Sequence, residues 1–336
     1  MKTHLVDVHD DAQCARAYEI ICAAKSLGRP WNEPPSLEES VTEWRHEDKS
    51  EPMEMWAAEE DDVVLGIATV WLPQDDNAWM VWADIAVEPQ QRRRGAGRAL
   101  VERIVERGRE EGRTQVIGDT MVPADAGAEH PHRLFLADQG FTLSNTEIMR
   151  HLLLPVPENL LAKIERDAAA HYGDAYRVET HVDGVPEPLR ESLCAVMNQL
   201  GVDAPTGDIE FEPETLTPAR YADYLDLERR QRRTRLTTVA VEVSSGDVVA
   251  YTDLILPSGA PKTVWQWGTL VHREHRGHRL GTAVKVANLR RLQQDHPGRE
   301  RIVTGNDDTN AWMVDINERL GFRPVELCPA YQRTLA

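Results

Sequence analysis

Two stretches of this chain carry the same order of features. Val87, Arg92 and Gly97, in the run from Ile85 to Gly97, recur as Val271, Arg276 and Gly281 in the run from Thr269, at one constant offset of 184 residues and without a gap. A later Gly-Phe pair recurs too, as Gly140-Phe141 and Gly321-Phe322, at an offset of 181. Self-similarity at this spacing is the mark of one folding unit used twice. A chain of 336 residues then divides into two tandem domains, each long enough to bury its own core. The boundary is expected near Pro155 to Pro157, where a strand-like run, Ile148 to Leu154, meets residues that cannot continue a ladder. The expected domains are 1–155 and 158–336.

Within the first copy the periodicity predicts a helix over 11–26, a polar, Pro-rich stretch over 30–52, and strands over 54–59, 63–72 and 78–87. A helix over 97–108, a strand over 115–121, a helix over 131–139 and a strand over 145–154 follow. The second copy repeats the plan with strands over 237–243, 247–256 and 263–271, a helix over 280–294, a strand over 301–305 and a helix from Asn310 to Leu320. The turn Ser244 to Asp247 joins the first two of these strands as a hairpin. Residues 174–235 have no counterpart beyond helices near 186–200 and 218–233. This alternation implies an α/β fold of mixed α+β character, with each sheet flanked by helices.

Composition closes several other routes. Hydrophobic residues make up 41% and charged residues 28%, as in a soluble globular protein. The net charge of -18 repels phosphate backbones and anionic lipid, so neither nucleic acid nor a membrane is expected as a partner. The start carries no apolar targeting stretch, which reads as cytoplasmic. Four cysteines without a C-x-x-C pair read as reduced thiols, and twelve histidines without an H-E-x-x-H or Cys/His ligand set imply no metal. The basic run Arg229 to Arg235 resembles a nucleic-acid patch, but in so acidic a chain an ion-paired helix face is the better reading.

A strand followed by a basic, Gly-rich turn that opens a helix concentrates free backbone N-H groups and a positive helix end at one point, which suits a pyrophosphate. Gly95 and Gly97 permit close approach of a ligand to the main chain, and Arg92, Arg93, Arg94 and Arg98 add charge. Leu100, Val101, Ile104 and Val105 give the following helix one apolar face.

These residues resemble motif A of the GNAT superfamily of acyl-CoA-dependent N-acyltransferases, twice over. A strand ending V-x-P, then [QR]-x-x-G-x-[GA] and a helix, is matched by Val87, Pro89, Arg92, Gly95 and Gly97, and again by Val271, Arg276 and Gly281, with Arg279 in place of the first motif glycine. The resemblance covers most of both halves, in a mycothiol-synthase-like tandem arrangement. It implies a mixed, mostly antiparallel sheet in each half and acetyl-CoA as acyl donor. It places the donor's contacts on Ile85, Ala86, Val87, Arg92, Arg93, Arg94, Gly95, Ala96, Gly97 and Arg98. The second set is Thr269, Leu270, Val271, Gly277, His278, Arg279, Leu280, Gly281 and Thr282, with Asn306 and Asn310 after the fifth strand. For Asn310 a helix cap is an equal reading.

Acetyl transfer to an amine needs a base and an oxyanion donor, the latter available from a strand-end N-H near Val87 or Val271. Asp84 shares a strand face with Met80 and Trp82, which makes it a candidate base; a solvated or capping aspartate is the plainer alternative. The aligned second position is Gly268, so Asp253 on the neighbouring strand is the substitute, with Glu242 and His272 behind it. The tyrosine acid that many relatives carry four residues before the Gly-Phe pair is replaced by Leu136 and Asn317. Analogy with tandem relatives leans toward the C-terminal half for catalysis. The expected reaction is transfer of acetyl to a primary amine of a small cationic molecule, by a monomer or homodimer. The alternative is a noncatalytic acyl-CoA-binding sensor.

Overall fold

The computed structural model describes residues 1–335. Contacts divide them into two compact units. The first comprises Met1–Glu147, Gly207–Glu210 and Glu326 onward, the second Ile148–Thr206 and Phe211–Val325.

The first unit contains β1 (Lys2–Leu5), α1 (Asp11–Ser26), α2 (Leu37–Trp44), β2 (Met53–Glu60), β3 (Val63–Trp71), β4 (Met80–Val87), α3 (Ala96–Glu110), β5 (Gln115–Asp119), the two-residue β6 (Val122–Pro123), α4 (Pro131–Asp138) and the start of β7 (Thr142–Leu153). β1 to β4 pair antiparallel in sequence order, and β4 pairs parallel with β5. α3 covers one sheet face, burying Leu100, Val101, Ile104 and Val105 against Leu65, Val81 and Val116, so the apolar stripe read from the sequence is the core contact. α1 covers the other face through Ala17 and Ile20 against Met55, Ile67 and Ala86. Three elements lie outside that pattern. β1 and β6 are four and two residues long, too short for periodicity to show; α2 lies inside the polar, Pro-rich stretch, where the Ser36 side chain accepts from Glu39 N-H at 3.2 Å as an N-cap.

The second unit holds the rest of β7, then α5 (Glu158–Tyr172), β8 (Tyr176–Val182), α6 (Glu187–Met197), the single-turn α7 (Leu200–Asp203), α8 (Pro218–Arg230), β9 (Thr234–Glu242), β10 (Val248–Leu256), β11 (Thr263–Val271), α9 (Leu280–Asp295), β12 (Arg301–Asp307), α10 (Ala311–Leu320) and the start of β13 (Arg323–Thr334). β8 to β11 are antiparallel in order, and β11 pairs parallel with β12. α9 plays the part of α3, with Val286, Leu289 and Leu292 against Leu236, Leu254 and Val264.

The units do not follow the boundary expected from the repeat. The chain passes between them at Glu147/Ile148, and residues from Glu326 on return to the first unit, where β13 pairs antiparallel with β5, Ala330 with Asp119 through Thr334 with Gln115. Tyr331 and Leu335 complete that unit's core. β13 was unforeseen, because Pro324 and Pro329 break its pattern and its partner lies about 200 residues away.

Candidate functional site

Each unit builds the same opening in its sheet. In the first, β4 and β5 pair only at Met80–Gln115, Val81–Val116 and Trp82–Ile117; in the second, β11 and β12 pair only at Thr263–Arg301, Val264–Ile302 and Trp265–Val303. Both longer strands run on for several residues. Ile85, Ala86 and Val87 are held on their other side by Ala68, Ile67 and Gly66 of β3, and toward β5 they have no ladder partner among the described residues. Those N-H and C=O groups are the free edge that an extended amide chain would pair with.

The basic turns that follow share one backbone shape. In the first, Arg93 and Gly95 have φ of 67° and 96°; in the second, Gly277 and Arg279 have φ of 88° and 56°. Positions two residues apart are left-handed in both loops, and glycine merely sits at the other one. Arg279 therefore leaves the amide arrangement intact. It carries strain instead, because a β-carbon in this region costs about 1–2 kcal/mol. Arg279→Gly is expected to stabilise the second unit by roughly 0.5–1 kcal/mol after the entropy of a new glycine is subtracted, and Arg279→Val to destabilise it, as urea unfolding will show.

Helices α3 and α9 begin at these turns, at Ala96 and Leu280, and neither first turn is capped by a side chain. Space around Gly95 is open, whereas a β-carbon on Gly97 would lie 3.0 Å from the Phe135 ring. Arg93, Arg94 and Arg98 are exposed, and Arg92 is half-buried. Arg94 pairs with Glu60, and Arg98 reaches Asp138 at 3.5 Å on the surface, a contact too long and wet to matter energetically. His132 bonds Thr120 at 2.9 Å; burial first, then His130 and Arg92, push its pKa down to about 4, so it stays neutral beside the loop. In the second loop Gly281, Leu280 and Thr282 are buried, His278 and Arg279 exposed. Thr269 bonds the Thr252 hydroxyl at 2.7 Å, Leu270 is buried and Val271 half-buried.

The candidate bases part company. Asp84 lies two residues beyond the last β4–β5 pair, about one third exposed, ion-paired with Lys25 of α1. Asp119 lies two residues beyond Ile117 on β5, so it occupies the equivalent place across the opening. Solvent reaches Asp119, yet protein crowds it, and that crowding with the charge of Asp84 holds its pKa up; Lys25 and Cys328 act the other way. Lys25 is raised by Asp84. No residue pattern singled out Lys25 or Asp119, because α1 and β5 meet β4 only in the fold.

Asp253 is enclosed, and the expectation of a base open to a substrate gives way. Its carboxylate accepts from Arg235 at 2.6 Å and Thr237 at 2.5 Å, and Arg235 also donates to Glu228. With 2% exposure it is the counter-ion of a buried arginine. Both ends of the basic run are thus ion-paired, Arg235 in this buried network and Arg229 with Asp226 in a separate surface pair. Gly268, aligned with Asp84, is the extra residue of a bulge between Thr252/Asp253 and β11, and a β-carbon there would meet the Tyr251 hydroxyl at 2.2 Å. Glu242 accepts from Ser245, and His272 accepts from Glu274 N-H.

Asn310 is a helix cap, its side chain accepting from Met313 N-H at 3.2 Å. Asn306 is buried and accepts from Arg150 at 3.1 Å and Asn317 at 3.2 Å. Asn317 in turn accepts from the buried Lys285 ammonium at 2.8 Å. Leu136, at the matching place in the first unit, packs on an apolar core. Among the described residues no group of three or more His, Cys, Asp or Glu is placed to hold a metal, and no helix is long and apolar enough to cross a membrane.

Comparison with known proteins fits this geometry. Residues 15–141 match the family model described as acetyltransferase (GNAT) family. No curated protein matches. Among solved structures, a tandem GNAT protein from the clavulanic acid biosynthesis pathway is 23% identical with a TM-score of 0.78, covering 100% of this chain and 98% of its own. A GCN5-related N-acetyltransferase from Sphaerobacter thermophilus is 16% identical with a TM-score of 0.65, covering 99% and 95%. Residues 15–141 thus match the GNAT acetyltransferase family model, and the chain as a whole has the fold of a tandem GNAT protein.

Proposed function

We propose that this protein transfers an acetyl group from acetyl-CoA to a primary amine of a small cationic molecule, and that the reaction belongs to the first unit. One observation carries the choice of unit: Asp84 stands at the open end of the β4–β5 cleft beside an uncapped helix start, while in the second unit Gly268 takes the aligned position and Asp253 is enclosed. This reverses the lean toward the C-terminal half.

The residues present fit the donor. Amides of Gly95, Ala96, Gly97 and Arg98, with Arg92, Arg93 and Arg94, would hold its pyrophosphate, and the free edge of Ile85 to Val87 would pair with its amide arm. In the second unit Gly277 to Thr282 share that backbone shape. A protonated amine cannot attack a thioester, so Asp84 takes the proton, directly or through a water. A strand-edge N-H near Val87 stabilises the developing oxyanion; its collapse breaks the C–S bond and releases CoA as a thiolate, which takes up the proton held by Asp84, directly or through a water. Carboxylates at Asp84 and Asp119 and the net charge of -18 favour a cationic acceptor.

Calorimetry with acetyl-CoA, followed by thiol release with a panel of primary amines, tests this reading. Gly95→Asp places a carboxylate in open space at the anion site and is expected to weaken acetyl-CoA binding at least about tenfold. Gly112→Asp, at another open left-handed glycine, φ 68°, controls for backbone strain. Equal affinity in the two variants would remove the loop from the proposal. Binding with no turnover on any amine would favour the sensor reading.

A further inference from the structure

Between β8 and β9 the second unit carries α6, α7 and α8, where the first unit has α1 and α2 between β1 and β2; the single-turn α7 is the added element. Within the second unit, the single turn of α7 reaches the cleft at two places. At its N-terminal end Leu200 covers β11 at Gly268, its Cδ2 3.1 Å from where a β-carbon would stand, next to the buried Tyr251. At the other end the Asp203 carboxylate accepts from Arg273 Nε at 2.8 Å and from Arg276 at 2.5 Å. Arg276 is the motif arginine aligned with Arg92.

Asp203 is no casual surface partner. Its side chain is only 4% exposed although both arginines are at least half exposed, so the carboxylate has left water to face them. Burial alone would raise its pKa; Arg273 and Arg276 outweigh that and hold it low, so it is ionised at neutral pH. An acidic side chain on the arginines of a basic turn is what an incoming phosphate would have to displace. In the first unit the carboxylates that meet the corresponding turn are more exposed: Arg94 pairs with Glu60, which is one third exposed, and Arg98 with the exposed Asp138.

Resting on the reading of the two turns as acyl-CoA sites, we infer that Leu200 to Asp203 is an internal occupant of the second cleft. Asp203 takes the place of a ligand phosphate and Leu200 closes the strand where an acceptor would lie. The two units then divide the work: the first binds donor and acceptor, and the second keeps the fold but withholds its loop.

The test titrates acetyl-CoA and, separately, inorganic pyrophosphate into the full chain, comparing wild type, Gly95→Asp, and Gly95→Asp combined with Asp203→Ala or with the shape-conserving Asp203→Asn. Wild type should bind one acetyl-CoA, and Gly95→Asp should bind it at least about tenfold more weakly. Freeing Asp203 in the Gly95→Asp background should restore a site and raise pyrophosphate affinity about tenfold or more, an increase cancelled by Arg276→Gln. A Gly95→Asp protein that still binds acetyl-CoA as tightly as wild type, with no gain on freeing Asp203, would show the second loop open from the start and overturn the inference. So would a folded Asp203→Asn variant, checked by circular dichroism, with no gain in pyrophosphate affinity. If the pyrophosphate gain appears while acetyl-CoA binds nowhere, the internal occupant stands and the acyl-CoA reading falls.

Discussion

Asp84→Asn is expected to lower kcat for acetyl transfer by about 10²–10⁴-fold while leaving acetyl-CoA affinity within about twofold, since general-base catalysis contributes on that scale and the change keeps the side chain's size. The geometry makes the split legible. Asp84 stands on β4 past the last residue paired with β5, and the anion loop begins only after Val87, so the amide change reaches the proton acceptor without touching the loop. Lys25 complicates a simple truncation because it pairs with Asp84. Lys25→Met is therefore the companion variant: it removes the ammonium and keeps the carboxylate, so a loss seen in Asp84→Asn but not in Lys25→Met assigns the effect to the base. A wild-type kcat in Asp84→Asn would reduce Asp84 to a structural partner of Lys25. The matching change in the second unit, Asp253→Asn, should act on stability and not on chemistry, because it breaks a buried pair with Arg235.

The second large effect concerns Lys285. In the aligned first-unit helix the residue is Val101, and the partner Asn317 corresponds to Leu136, so an apolar pair has become an amine and an amide inside a core. Lys285 is 3% exposed, has Asn317 as hydrogen-bond acceptor at 2.8 Å and lies 5.6 Å from the Phe322 ring. Burial pushes its pKa down from 10.5 to about 7. Below about pH 7 the folded and unfolded chains both hold the proton, and the full cost of burying the charge is present. Between about pH 7 and 10.5 the unfolded chain binds more protons, so this group's cost shrinks and stability rises with pH. Integrated over that window the term is of order 5 kcal/mol. Replacing the pair by Lys285→Met with Asn317→Leu should therefore stabilise the second unit, by about 1–4 kcal/mol once the lost hydrogen bond is counted. The gain should be largest near about pH 6 and shrink toward about pH 10 in urea unfolding. A gain that does not change with pH would mean that Lys285 titrates normally. The double change leaves Asn306 its bond from Arg150, so no new buried acceptor is stranded there.

The chain's own order of residues was enough to establish that one unit occurs twice, that each unit is a mixed sheet under helices, and that each carries a basic turn between a strand and a helix. Those features are local. A strand, a left-handed turn and a helix with one apolar face are written within about twenty consecutive residues, where side-chain period and backbone preference act directly. Even the substitution of Arg279 for glycine did not hide the turn, because the left-handed position is set by the same short segment.

What only the tertiary structure decided involves residues brought together from far apart. Asp84 and Asp253 look alike as acidic residues in apolar strands. One ends at an opening where pairing with the next strand stops, and the other faces Arg235, eighteen residues back, whose charge it neutralises. Lys25, Asp119, Lys285 and Asp203 acquire their meaning from partners 32 to 94 positions away: Lys25 from Asp84, Asp119 from Lys25, Lys285 from Asn317, Asp203 from Arg273 and Arg276. The last strand pairs with β5 across about 200 residues and moves the domain boundary with it. The physical reason is common to all of these. Propensity and periodicity act between neighbours along the chain, whereas burial, desolvation and ion pairing depend on which surfaces close on one another, and that is fixed only when the sheet and its covering helices assemble.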